Sequence, residues 1–168
     1  MRGLTAILMA GLAVPAMALE CPQAHAVYEQ PGGQVMLRFS EVPRDATANQ
    51  IADFSIDIEG VDSPFAGGIF IPNGFGQPYG SVGHDCAGDI EEACRFWEGV
   101  VYALGSSGIE EFPWDSDLPL EDHMAPQQVL LPGFASNVWY SMERQQAFEG
   151  DRMVLDVFAL VACARQAT

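Results

Sequence analysis

The sequence predicts a mainly β fold, an antiparallel, sandwich-like single domain with one or two short helices and two disulfides. Residues 34–40 and 51–59 alternate apolar and polar side chains, which is typical of strands with one buried face. Residues 151–163 form the longest apolar run after the N-terminal leader, and the four cysteines are an even set. Strands with one wet face favour an antiparallel sheet over a parallel sheet covered by helices.

The N-terminus has the parts of a secretory signal peptide. Arg2 gives the charged start, residues 4–14 form the apolar segment, and a small-residue cleavage site ends at Ala18. The apolar segment is too short to span a bilayer. We therefore expect a signal peptide at 1–18 and one β-rich domain at 19–168. The mature domain should be periplasmic or secreted, with no membrane insertion after cleavage.

The composition is strongly acidic. The chain carries 23 acidic residues against seven basic ones, all of them arginine, and its formal net charge is −16. Such a protein repels phosphate backbones, so nucleic acid is excluded as a partner and a cationic protein or ligand is favoured. The absence of lysine excludes Schiff-base and phosphate-loop chemistry, and we expect no cofactor. An acidic surface also keeps an exported protein soluble without any specific ligand.

The four cysteines indicate two disulfides formed in an oxidising compartment. We expect Cys86 to pair with Cys94, its near neighbour in sequence, and Cys21 to pair with Cys163, which would join the two ends of the domain. In the chain-entropy view the short loop contributes roughly 2–3 kcal/mol and the long loop roughly 5 kcal/mol. A zinc site is the alternative, but the chain has no C-x-x-C and no paired histidines.

The strands of the first half have their apolar side chains at every second position. The residues expected to face inward are Val35, Leu37, Phe39, Ala52, Phe54, Ile56 and Ile58. Residues 67–71 predict a shorter strand, which a glycine-rich loop follows. The loop carries Phe75 and Tyr79, and these aromatic side chains either form a contact surface or cover the core.

The middle of the chain changes period. Apolar residues three, four and seven apart predict a short helix over residues 89–98, with Asp89 as its N-cap and Glu92 completing a capping-box-like pair. Residues 99–104 then predict an apolar strand. The alternative is one longer strand that begins at Arg95. Residues 95–98 would then belong to this strand and not to the helix.

The second half contains an acidic loop, two weaker elements and a final strand. Residues 105–126 show no period, and loops of this length tend to be functional or mobile. Residues 127–131 predict a short strand, and residues 134–148 predict a helix that Gly150 closes. Residues 151–163 predict the central strand, and their apolar side chains on both faces predict burial from both sides.

Carboxylates are concentrated in the middle of the chain, where eleven lie between Asp85 and Asp122. The candidate calcium ligands are Asp115, Asp117, Glu121 and Asp122. Calcium prefers carboxylate oxygens, and the first two candidates have the alternate spacing of a loop site. Pro119 stands at the next ligand position of the EF-hand pattern, so that motif is absent. A solvated acidic loop is the simpler interpretation.

A glycoside hydrolase is a further hypothesis for the carboxylates. Such an enzyme needs two carboxyl groups held several ångströms apart. The tryptophans that could stack on sugar rings are Trp97, Trp114 and Trp139. Any acidic protein contains carboxylate pairs by chance, however, and tryptophans are equally expected in core and loop packing.

Acyl transfer requires a serine with a histidine, and no G-x-S-x-G elbow is present. His25 and His123 stand apart in sequence, whereas His84 is next to Asp85 and near Cys86. A carboxylate beside a histidine favours the charged imidazole, so this is the most suggestive pair in the chain. A histidine that merely ends a disulfide loop is the simpler interpretation.

Asp156 interrupts the apolar final strand. A carboxylate buried without partners is costly, so we expect it to be hydrogen-bonded near a rim of the sheet. The arginines that could pair with it are Arg38, Arg95 and Arg152. The functional alternative is a general acid or base.

Binding is the function that these patterns favour. We expect a non-enzymatic binding or interaction protein of the bacterial cell envelope that recognises another protein or a cationic ligand. The alternative is a hydrolase that acts on an envelope or extracellular polymer through a carboxylate pair. A binding protein needs an exposed acidic or apolar patch, whereas a hydrolase needs a histidine and a carboxylate, or Asp156, beside a nucleophile or water.

Overall fold

A computed structural model describes residues 19–73, 76–86, 94–112, 123–141 and 143–164, so the predicted signal peptide lies outside the described residues. The strands are β1 (Ala26–Glu29), β2 (Val35–Ser40), β3 (Gln50–Ile58), β4 (Phe65–Phe70), β5 (Tyr79–Gly83), β6 (Arg95–Val100), β7 (Tyr102–Gly105), β8 (Gly108–Glu111), β9 (Gln128–Leu130) and β10 (Val157–Cys163). The helices are a 3₁₀ turn (Gln23–His25), α1 (Phe134–Tyr140) and α2 (Arg144–Ala147).

The ten strands form one curled antiparallel sheet. Their order is β6-β5-β4-β3-β2-β1-β10-β9-β7-β8. β6 and β7 lie near opposite ends of this order, yet only Val101 separates them in the chain. The two ends of the sheet must therefore approach each other. The predicted mainly β antiparallel fold is confirmed, but the sandwich of two packed sheets is not, because a single sheet wraps around the core.

The core fills the inner face of the sheet. The inward alternation predicted for β2 and β3 is confirmed, since Leu37 and Ile56 are fully buried while their neighbours within the same strand are more exposed. Phe39 packs at 5.6 Å between ring centroids against both Tyr28 and Phe54. Such aromatic pairs stabilise a core beyond the area that they bury.

Both predicted disulfides are present. The Cα atoms of Cys21 and Cys163 lie 5.8 Å apart, and those of Cys86 and Cys94 lie 5.4 Å apart. The first disulfide joins the ends of the described chain beside the β1–β10 ladder. Two disulfides indicate an oxidising, extracytoplasmic environment. Within the described ranges, the helices are too short and too polar to span a bilayer.

The final strand differs from its prediction. β10 begins at Val157 rather than at residue 151, and it pairs on its two edges with β1 and β9. Only one of its faces is covered, because Phe158 is buried while Val161 is 47% exposed. The expected burial from both sides was wrong. A curled sheet has its core on one face, so a continuous apolar run does not require a second covering layer.

Two strands, β5 and β8, lie where the sequence predicted a loop or irregular chain, and β1 lies where it predicted no element. β5 was read as a loop because of its glycines. In the sheet, Gly80 faces the core, where an added Cβ would lie 2.8 Å from Val101 and 2.9 Å from Trp97. The glycine at position 80 of β5 therefore allows Val101 and Trp97 to pack closely against the strand. β8 pairs with β7 as a hairpin inside the predicted irregular region 105–126.

The predicted helices are only partly correct. Residues 95–98 belong to β6, so the helix over 89–98 was wrong at its described end. A strand does begin at Arg95, as the alternative predicted, but it is not one longer strand, because β6 ends at Val100. The strand over 99–104 is divided at Val101. The single helix over 134–148 is two short helices, because the backbone becomes extended at Ser141 (φ −82°, ψ 173°).

Candidate functional site

Several predicted site residues lie outside the described part of the chain. They are Asp89, Glu92, Phe75, Trp114 and the calcium candidates Asp115, Asp117, Glu121 and Asp122. The calcium site therefore stays a prediction. Within the described ranges, no three histidine, cysteine or acidic side chains are grouped in a way that would hold a metal ion.

Asp156 is hydrogen-bonded, as expected. Its two carboxylate oxygens accept backbone N–H groups from Gly133 and Ala135, each at 2.8 Å. These N–H groups belong to the start of α1, where a negative charge is favourable. Two of the arginines proposed as its partners pair elsewhere, Arg38 with Asp57 and Arg95 with Glu98.

The two described tryptophans have packing roles. Trp97 is buried, and its indole N–H donates to the carbonyl of Pro132 at 3.0 Å. Trp139 is partly exposed and is covered by the Arg144 guanidinium, 3.7 Å from its ring centroid, and by the ring of Phe148. Trp97 therefore offers no open platform for a sugar ring, and the Trp139 ring is partly covered.

Two of the histidines lie near the N-terminal 3₁₀ turn. The backbone carbonyl of His25 accepts a hydrogen bond from the N–H of Ala164, and that of His123 accepts from Gln23. His123 is buried. These contacts tie the ends of the chain together, and they give these two histidines a structural setting that differs from that of His84.

The outer face of β3, β4, β5 and β6 carries a cleft of about 790 Å³, which we call the outer-face cleft. Its main polar and aromatic lining residues are Asp45, Asp53, Phe70, Tyr79, Ser81 and Glu98. The volume lies within the range of small-molecule sites. Tyr79 is therefore part of an exposed concave surface, which is one of the two roles that the sequence allowed for it.

Strand register explains how the outer-face cleft forms. One row of residues runs across the sheet from β2 to β6, with one residue from each strand paired to the next. The row consists of Ser40, Asp53, Gly68, Ser81 and Glu98. Gly68 lies at the middle of this row and leaves a gap between the polar side chains. An added Cβ there would lie 2.9 Å from the ring of Phe70 and 3.2 Å from the amide nitrogen of Gln50. A side chain at position 68 would therefore fill the cleft.

Carboxylates dominate the charge of the outer-face cleft. Burial raises the pKa of the Asp53 carboxyl above its ordinary value, and hydrogen bonds from Ser40 at 2.8 Å and Gln50 at 3.2 Å partly oppose that effect. Glu98 pairs with Arg95 at 2.6 Å between Oε2 and Nη1. Asp45 adds a further negative charge at the rim. A cation entering the cleft would favour the ionised form of Asp53.

Ser81 lies in the floor of the outer-face cleft with an unsatisfied hydroxyl. Ser81 is 6% exposed, and its Oγ has no hydrogen-bond partner. A buried polar atom without a partner costs about 1–3 kcal/mol. Gln23 and Arg152 carry similar atoms in the described part of the chain but do not line this cleft. Gln23 instead borders a cavity of about 10 Å³, about the minimum that holds one water.

A second polar cluster, the His84 cluster, consists of Ser63, His84, Asp85 and Glu143. His84 Nδ1 lies 2.9 Å from Glu143 Oε1, and its Nε2 lies 3.2 Å from Ser63 Oγ. The Ser63 hydroxyl also reaches Asp85 Oδ1 at 2.8 Å. The predicted pair of His84 and Asp85 is therefore close, with an Nδ1–Oδ2 distance of 3.7 Å, but Glu143 is the nearer carboxylate.

The sequence did not reveal Ser63 or Glu143 as members of the His84 cluster. Glu143 is 59 residues from His84, and nothing in the sequence pattern links the two. Ser63 was predictable in principle from strand pairing. β4 and β5 pair with Ala66 opposite Gly83, so the residues just before β4 lie beside those just after β5. That signal was lost because β5 was read as a loop.

Known proteins assign no role to either site. No protein-family model, curated protein or solved structure matches this chain. Function is therefore inferred from the chemistry of the outer-face cleft and of the His84 cluster.

Proposed function

We propose that this chain is an exported binding protein of the bacterial cell envelope, periplasmic or secreted, and that its outer-face cleft binds a small organic cation. The observation that carries this proposal is the unpartnered Ser81 hydroxyl in the floor of the cleft. A ligand that hydrogen-bonds to this atom recovers the free energy that its burial costs. An ammonium group suits this role because it has several N–H donors.

Charge favours a cation over a neutral ligand. Asp45, Asp53 and Glu98 line the cleft, and Arg95 is the positive side chain among its lining residues. Concave surfaces lined by one sign of charge concentrate the opposite ion and speed its association. The formal net charge of −16 also attracts a cationic ligand over a longer distance.

Aromatic side chains favour an organic cation over a bare metal ion. The rings of Phe70 and Tyr79 stack with their centroids 5.6 Å apart and line the same cleft. An aromatic face attracts an alkylammonium group or a guanidinium and also packs against its carbon atoms. The ligand expected from this arrangement is an amine or guanidine that carries an apolar or planar substituent.

Titration calorimetry with three cationic probes, benzylamine, spermidine and L-arginine, tests the proposal. Benzyl alcohol is the neutral counterpart of benzylamine. We expect at least one cationic probe to bind, benzyl alcohol to bind at least tenfold more weakly than benzylamine, and added salt to weaken binding. The proposal is overturned if none of the cations binds or if the neutral alcohol binds as well as the amine.

Two matched variants locate the binding site. Asp53→Asn removes the partly buried carboxylate of the outer-face cleft, and we expect it to raise the Kd of the bound cation at least tenfold. Asp57→Asn removes a carboxylate on the same face of β3 that pairs with Arg38 outside the cleft. Equal effects of the two substitutions would show that general surface charge, rather than the cleft, attracts the probe.

A further inference from the structure

The His84 cluster has the arrangement of an activated serine and is independent of the outer-face cleft. Ser63 lies in the turn before β4, His84 directly follows β5, and Glu143 is the N-cap residue of α2. The two ring nitrogens of His84 contact different partners, Nε2 the serine hydroxyl and Nδ1 the glutamate. A nucleophile within reach of a base that a third group orients is the structural signature of nucleophilic catalysis.

The imidazole of His84 is held in place from several sides. Its side chain is 12% exposed and that of Glu143 is 17% exposed. The ring also packs against Phe65, with 4.6 Å between ring centroids. Glu143 accepts a hydrogen bond from Nδ1–H, and Nε2 lies 3.2 Å from Ser63 Oγ and 3.3 Å from the Ser63 backbone carbonyl oxygen. Ser63 is half-buried.

Asp85 competes for the same hydroxyl proton. Its carboxylate oxygen lies 2.8 Å from Ser63 Oγ, nearer than His84 Nε2 at 3.2 Å. Asp85 has a φ of 53°, a left-handed conformation that aspartate tolerates better than most residues. Its side chain is 72% exposed, so solvent weakens its hold on the proton. Asp85 therefore lowers the fraction of molecules in which the Ser63 hydroxyl proton points at His84 Nε2.

We propose that Ser63 and His84 are catalytic residues of a hydrolase for small esters and that Glu143 is a positioning residue. Ser63 Oγ bonds to the ester carbonyl carbon while its proton passes to His84 Nε2. The ester C–O bond then breaks, and the departing alcohol oxygen takes that proton. Water attacks the acyl-serine in the same way, gives its proton to His84 and releases the acid, while Ser63 regains a proton.

Labelling with diisopropyl fluorophosphate tests the nucleophile directly. Ser63 Oγ would bond to phosphorus, fluoride would leave, and His84 would take the serine proton. We expect peptide mass mapping to place the adduct on Ser63 in the full chain and to find none at that peptide in Ser63→Ala. The matched control is Ser107→Ala, which removes a serine hydroxyl bonded to Glu110 rather than to a histidine. An unlabelled Ser63 in the wild-type chain overturns the proposal.

Hydrolysis of p-nitrophenyl acetate separates catalysis from stability. We expect Ser63→Ala and His84→Gln to lower kcat/KM about a hundredfold or more, and a Ser63→Ala variant that keeps wild-type activity overturns the proposal.

Glu143→Gln should lower kcat, and Glu143→Asp should recover part of the loss, because only a carboxylate fixes the productive tautomer. Glu143 has no positioning role if Gln and Asp give equal kcat. Asp85→Asn should raise the labelling rate severalfold, since it weakens the competing acceptor.

Discussion

The two polar sites of this protein use the same pair of strands and differ in how their polar atoms are satisfied. The His84 cluster lies at one end of β4 and β5, and its side chains hydrogen-bond to one another. The outer-face cleft lies along the outer side of the same strands, and Ser81 in its floor has no partner. A satisfied cluster fixes the orientation of its own groups, whereas an unsatisfied one gains free energy when a ligand arrives.

Opposite responses to truncation follow from this difference. Removing a group from the satisfied cluster leaves its former partners unpaired and should destabilise the fold. Removing the unsatisfied hydroxyl deletes a cost of folding and should stabilise it. Proteins often keep such costs at functional sites, because the atoms that bind a ligand are unsatisfied without it.

The largest effect is expected from His84→Ala. It leaves the Glu143 carboxylate without its histidine partner and disconnects α2 from the end of β5, so the free energy of unfolding should fall by about 2–3 kcal/mol. The melting temperature should then drop by about 5–10 °C. Arg38→Ala, which breaks an exposed ion pair with Asp57, is the comparison and should cost less than about 1 kcal/mol. Equal losses for the two variants would mean that the His84 cluster contributes no more than a surface ion pair.

Gly68→Val should close the outer-face cleft. The new side chain meets the Phe70 ring and the Gln50 amide, and both are side-chain ends that can move, so the fold should survive. Binding of the cationic probe should weaken at least tenfold in calorimetry. Gly32→Val adds the same side chain at a turn with no atom within 4 Å, although its φ of 105° will cost stability. Unchanged binding in Gly68→Val would place the probe elsewhere.

Ser81→Ala should separate stability from binding. Loss of the unpartnered hydroxyl should raise the free energy of unfolding by about 1 kcal/mol and the melting temperature by about 2–4 °C. The same change should weaken binding of the cationic probe. Ser55→Ala, on the same face of β3 but outside the cleft, should change neither quantity. A Ser81→Ala variant that melts lower than the wild type would show that its hydroxyl is satisfied in solution.

The smallest effect concerns Asp53 and pH. Its pKa in the folded protein lies above the ordinary value of 3.8, so the folded state holds that proton more tightly than the unfolded state. Stability from this group is therefore present at low pH and is lost as pH rises from 3.8 through the raised value. The melting temperature of Asp53→Asn minus that of the wild type should therefore increase between pH 3 and pH 7. Asp57→Asn, which loses an ion pair with Arg38, should show no such gain.

Strand content and covalent connectivity were predictable because they depend on local signals. Alternation in β2 and β3 identified their buried faces, and the even cysteine count with the positions of Cys21 and Cys163 identified the disulfide between the chain ends. The sandwich prediction failed because a strand pattern reports which residues are apolar but not whether a second sheet covers them. β10 shows this, since its apolar outer face remains partly exposed.

The candidate sites were less predictable because they depend on contacts that are distant in sequence. His84 and Asp85 were recognised as neighbours, but Glu143 reaches His84 only through the packing of α2. Asp53 was predicted to face outward, yet nothing in its own strand indicated a cleft. The cleft requires Gly68 and Ser81 at the paired positions of β4 and β5, and β5 itself was read as a loop.

A crystal structure with benzylamine, or with whichever cationic probe binds best, would test the binding proposal most directly. We predict that the ligand lies in the outer-face cleft, with its cationic nitrogen within hydrogen-bond distance of Ser81 Oγ and close to the Asp53 carboxylate. A ligand bound at another surface, or one that leaves the Ser81 hydroxyl without a partner, would contradict this account.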